Sequence, residues 1–109
     1  MQVKTLQTKI KNLMRDWDKL KGRKYTVETA FYHLVEEVGE LAQELVNKKR
    51  SPRKYSKEKL IDAIGDILIY AVLLASLYKV DIEKLILGII EQDKKRMAKL
   101  RKRSRKGEK

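Results

Sequence analysis

The chain has 109 residues, 42% hydrophobic and 39% charged, with one proline, five glycines, no cysteine and a formal net charge of +12. Without cysteine there is no disulfide framework, thiolate zinc site or cysteine nucleophile, and the composition argues for a folded helical protein rather than a disordered or all-β one. One domain is expected, but four modest helices enclose a small core that a partner subunit should complete.

Val3, Leu6, Ile10, Leu13, Trp17 and Leu20 recur at steps of three and four, which predicts a first helix with one buried stripe and Gly22 just past its end. The opening MQVKTLQTKIKNL is amphipathic rather than a secretory apolar segment, so a cytoplasmic protein is expected. Thr26 can cap a second helix running to about Lys48, with Val27, Ala30, Phe31, Leu34, Val38, Leu41 and Leu45 on its apolar face. After the connector KKRSPRKY, Ser56 offers a cap for a third helix from about Lys57 to Lys79. This helix contains LIDAIGDILIYAVLLASLY, which is about long enough to span a bilayer. Two aspartates and a glycine interrupt its first half, so it reads as a buried or interfacial helix of a protein with no membrane partner.

Asp81 can cap a fourth helix carrying Leu85, Ile86, Ile89, Ile90, Met97 and Leu100. The charge concentrates beyond it. Residues 1–93 hold 17 Lys/Arg against 14 Asp/Glu, whereas residues 94–109 hold 10 against 1. Such a run favours a solvated, frayed terminus over a nucleic-acid contact, because no aromatic side chain is interleaved to stack on bases.

Against that basic background, HLVEEVGELAQEL packs four glutamates into an apolar helical repeat. At about 100° per residue, Glu37, Glu40 and Glu44 fall within about 60° of one another together with His33, while Glu36 turns about 100° away from Glu37 toward solvent. On the third helix Asp62 and Asp66 share a face one turn apart. Clustered carboxylates among aliphatic neighbours cost several kcal/mol unless a cation compensates. Arginine or lysine salt bridges and a hard divalent cation such as Mg²⁺ are near-equal readings of the spacing alone.

The order DWDKL, HLVEEVGELAQEL, DAIGDILIYAVLLASLYKVDIEKLI resembles the MazG-like all-α nucleoside triphosphate pyrophosphohydrolases over about residues 10 to 96. That family pairs EExxE on one helix with ExxD on the next, followed by an aliphatic run and a VDI-type turn. Glu36, Glu37 and Glu40 complete the first half. In the second half Ala63 stands where the family has its glutamate, with Asp62 one place earlier. Near the end of the fourth helix, Asp93 falls where the family tends to carry Asn and Ile89 where it carries Lys.

The resemblance implies a four-helix bundle over residues 1–97, completed as a homodimer or homotetramer, with residues 98–109 as a basic tail. It also implies Mg²⁺-dependent attack of water on the α-phosphorus of a (deoxy)nucleoside triphosphate, releasing pyrophosphate. Glu37, Glu40 and Asp66 are then metal ligands, Asp62 the candidate to replace the missing glutamate, and Glu36 with Glu37 the catalytic carboxylates. Trp17, Lys21, Arg23, His33 and Asp93 are candidate substrate contacts, although core packing is the leading reading for Trp17 and pairing with Glu37 is open to His33. Two rivals stand beside this reading: a phosphoribosyl-ATP pyrophosphohydrolase, and a catalytically impaired helical scaffold whose tail binds nucleic acid.

Overall fold

The computed structural model describes residues 1–107, which form four α-helices and no strand. They are α1 (Val3–Lys21), α2 (Val27–Arg50), α3 (Lys57–Leu77) and α4 (Ile82–Gly107). Local chemistry sets most of the boundaries. Gly22 takes the left-handed conformation at φ 63°, so α1 stops where the sequence places a glycine. Thr26 and Thr29 form a reciprocal capping box at the start of α2, each side chain accepting from the other residue's backbone N–H. Ser56 accepts from the Lys59 N–H, and the Asp81 carboxylate accepts from the Lys84 N–H.

α3 ends two residues before the expected Lys79. The Lys79 N–H bonds to the Ser76 carbonyl and the Val80 N–H to the Ala75 carbonyl, a Schellman closure with Lys79 at φ 58° in place of the usual glycine. Nothing in the residue type announces this, since a lysine with positive φ is uncommon.

α2 and α3 pack side by side as the principal pair, α1 lies along α3, and α4 touches only α1 and α3. Met14, Ala30 and Leu73 form the centre of the core, with Tyr25, Ile69, Tyr70 and Leu74 packed around them. The Gln7 side chain ties α1 to the α3–α4 turn, donating to the Val80 carbonyl and Ser76 Oγ and accepting from the Ile82 N–H. α3 is the one helix among the described residues with the length and mean hydropathy of a membrane span. It is also the helix that packs against all three others.

The single chain does not bury its stripes. In α1 only Ile10 and Met14 are buried, so the expected burial of Val3, Leu6, Leu13, Trp17 and Leu20 is not met within one copy. Every residue of α4 from Glu83 to Arg105 is exposed. The radius of gyration is 19.0 Å, against roughly 13 Å for a compact chain of this length. The accessible surface of 9381 Å² likewise exceeds the roughly 6,300 Å² of a monomeric protein of this mass. The α4 helix projects from the body with Leu85, Ile86, Ile89, Ile90, Met97 and Leu100 all exposed.

Candidate functional site

The facing surfaces of α2 and α3 bring the carboxylates of the two helices together. Glu37 is half-buried and one of its oxygens, Oε2, is sealed from water with no donor facing it. Burial first, then a hydrogen bond shared with the Glu40 carboxyl, then the charges of Glu40, Asp66 and Glu36, push the Glu37 carboxyl up to about 7. Two carboxyl groups this close need a proton or a cation between them. Asp66 is half-buried across from this pair, and Glu40 and Asp62 are exposed at its rim. Glu40, Asp62, Ala63 and Asp66 line one cavity of about 460 Å³, with Glu44 and Lys59 beside them.

Glu44 belongs to the inward stripe but has another task. It is buried at 8% exposure and its Oε1 accepts from the Ser56 N–H at 2.9 Å, tying the last third of α2 to the start of α3. Glu36 is 68% exposed and lies 3.5 Å from His33 Nδ1, so the carboxylate beside His33 is Glu36 and not Glu37. The His33 ring stacks on Tyr70 with centroids 5.3 Å apart and meets Tyr25 at 5.7 Å.

Trp17 is 45% exposed within one copy, so the core of the single chain does not enclose it. It lines a second cavity, of about 240 Å³, together with Lys21, Tyr25, Asp66 and Tyr70. Lys21 Nζ stands 5.2 Å from the centre of the Trp17 ring. Asp66 is therefore shared by both cavities and sits on the wall between an acidic and an aromatic compartment. Arg23 lines a small recess with Tyr25 and His33. Asp93 is not brought to these residues. It lies on the exposed length of α4, 3.8 Å from Arg96, and α4 makes no contact with α2.

Tyr25 and Tyr70, which no sequence motif marks, join the site through their packing on each other and on His33. Burial, a hydrogen bond that the Tyr70 O–H donates to Tyr25, and the nearby negative charges of Glu37 and Asp66 push the Tyr70 phenol above its ordinary value. It remains an O–H donor at neutral pH. The available signal was spacing, since Tyr70 lies one turn after Asp66 and so shares its face.

The donor chemistry fits a hard divalent cation: oxygen ligands from two helices, one buried oxygen without a partner, and like charges in contact. Among the described residues no three of these side chains already converge as a ligand set, so loading requires rotamer changes. The raised Glu37 value also predicts a pH dependence of the metal-free protein. A carboxyl whose folded value lies above its ordinary 4.5 favours the folded state fully below pH 4.5, and that contribution is lost as pH rises through about 7. In chelator, the melting temperature of the parent relative to Glu37→Gln should fall across that window. A difference that stays flat or rises with pH would show that Glu37 does not feel this burial.

No curated protein matches the chain. The model of the MazG nucleotide pyrophosphohydrolase domain matches residues 25–106, from the tyrosine before the α2 cap to nearly the end of α4. With that match spanning three-quarters of an all-helical chain whose carboxylates meet between α2 and α3, the protein belongs to the MazG nucleotide pyrophosphohydrolase domain family, hydrolases acting on phosphoric anhydride bonds.

Proposed function

We propose that the α2–α3 cleft converts a nucleoside or deoxynucleoside triphosphate to its monophosphate and pyrophosphate, with Mg²⁺ as cofactor, in the cytoplasm. The observation that carries this reading is Glu37, half-buried with an unpartnered oxygen against Glu40 and Asp66 in a chain of net charge +12. Acid gathered in a basic protein at such cost suits a site that must hold a cation, and through it a polyanion.

Glu37, Glu40 and Asp66 would hold the ion, with Asp62 at the rim as a fourth oxygen donor. When bound, Mg²⁺ supplies charge neutralisation at phosphate oxygens and makes water more acidic. Glu36 stands outside the ligand group, 68% exposed with His33 beside it, and would turn inward by a rotamer change to orient the attacking water and accept its proton. The water oxygen bonds to the α-phosphorus as the bond to the bridging oxygen breaks, and that oxygen leaves with pyrophosphate. The aromatic cavity beside Asp66 is the place for the nucleobase, with Trp17, Tyr25 and Tyr70 supplying stacking faces. Lys21, on the wall of that cavity, and Arg23, in the recess with Tyr25 and His33, would meet phosphate oxygens.

The working unit is a homodimer or homotetramer. Roughly 3,000 Å² of surface beyond that of a compact monomer is the scale of an obligate interface. Sedimentation at micromolar concentration should show only assemblies, and a stably folded monomer would remove this idea.

The activity test is incubation with the common ribo- and deoxyribonucleoside triphosphates and with phosphoribosyl-ATP, measuring pyrophosphate separately from phosphate. Pyrophosphate from a nucleoside triphosphate supports the proposal. Turnover of phosphoribosyl-ATP alone reassigns the enzyme, and inertness toward every compound leaves a helical scaffold.

A further inference from the structure

The described part of the basic tail is an ordered helix rather than a frayed end. α4 continues without a break to Gly107, and every side chain from Glu83 to Arg105 is exposed. Between Lys94 and Arg105 there are eight Lys/Arg and no Asp/Glu. Among the described residues the one Lys/Arg–carboxylate ion pair is Arg96 with Asp93, at 3.8 Å. Among the described residues the cations therefore have almost no neutralising partner. Lys95, Lys99 and Arg103 follow one another at four-residue steps, as do Arg101 and Arg105, and such like-charge neighbours oppose helix formation.

Placed at about 100° per residue, the eight cations fan over roughly 220° of the helix, leaving about 140° for Met97, Leu100 and Ser104. From these observations we infer that α4 is a duplex-DNA-binding element, separate from the hydrolytic cleft and independent of what that cleft does. Four features favour a duplex. The twelve residues from Lys94 to Arg105 span about 18 Å, along which B-DNA presents about ten phosphate charges. A helix about 10–12 Å across enters a major groove about 12 Å wide, and a cationic fan wider than a half-circle reaches both walls. A flat bilayer would engage only one side of that fan and demands an apolar face with bulky anchors, where this segment offers Met97 and Leu100. No aromatic residue follows Tyr78, so nothing in α4 stacks on the splayed bases of a single strand. Binding is through phosphates and blind to sequence.

Fluorescence anisotropy of a labelled DNA duplex with the full chain tests this. If about four phosphates are neutralised per helix, a slope of about −0.9 per phosphate weakens binding about 100-fold between roughly 50 and 200 mM salt. The variant Lys95→Gln/Lys99→Gln/Lys102→Gln/Arg103→Gln keeps side chains of good helix propensity, and circular dichroism should show unchanged helicity. It should bind at least tenfold more weakly at low salt with a much flatter salt slope, while pyrophosphate release is unchanged. Absence of duplex binding at low salt would overturn the inference. So would a folded variant that binds like the parent, tighter binding to the single strand of the same sequence, or preference for phosphatidylserine vesicles over the duplex.

Discussion

Glu40→Gln and Asp66→Asn should each reduce metal-dependent turnover by about a thousandfold or more, and neither should lower the melting temperature. A thousandfold corresponds to about 4 kcal/mol of transition-state stabilisation, the scale expected when an ion that neutralises phosphate charge is lost. The second half of the expectation separates a ligand from a structural carboxylate. Glu40 is exposed and Asp66 half-buried, and both press their charge on Glu37. Converting either to an amide relieves that repulsion and leaves the helix pair intact. Glu44 is the control, because its carboxylate accepts the Ser56 N–H at 2.9 Å and ties α2 to α3. Replacing Glu44 with alanine strands a backbone donor, which costs about 1–3 kcal/mol, while the ligand positions keep their charge. Glu40→Gln or Asp66→Asn retaining near-parental rates at saturating Mg²⁺ would remove that residue from the ion's shell.

Much of this arrangement was legible because it depends on short-range chemistry. Thr26, Ser56 and Asp81 accept the backbone donors that their residue types suit them to accept, and Gly22 takes the positive φ that glycine tolerates. The helical period placed Glu36 outward and Glu37 inward on the same arithmetic. Packing between helices was less legible. An apolar stripe states that a face wants cover without stating who covers it, so Leu13 and Trp17 lie exposed although their spacing is that of buried residues. His33 had two glutamates within reach, and its ring lies beside Glu36 while packed on Tyr70, across helices, and on Tyr25. Tyr70 entered the site for the same reason: its nearness to Glu37 arises from α3 packing against α2, although its spacing from Asp66 already placed it on that face of α3.

Ala63→Glu is the substitution expected to improve the protein. Ala63 is 2% exposed on the wall of the cavity that also holds Glu40, Asp62 and Asp66. A side chain starting there shares its face with Asp66, three residues on, whereas Asp62 starts about 100° away and is one methylene shorter than a glutamate. The cavity of about 460 Å³ leaves room for the longer chain, and Lys59, one turn earlier on α3, offsets part of the added charge. Divalent-ion affinity should rise about tenfold, equivalent to about 1.4 kcal/mol, with a matching gain in rate below saturation. Asp62→Asn alone should lose turnover, and adding Ala63→Glu should restore it, since one acid would then stand in for the other. A different pattern would place the ligands elsewhere. If Asp62 already serves fully, Ala63→Glu crowds like charges and costs about 1–3 kcal/mol of stability with no gain in rate. If Asp62→Asn keeps full activity, Glu37, Glu40 and Asp66 hold the ion unaided, and Asp62 is a rim carboxylate whose charge the reaction does not use.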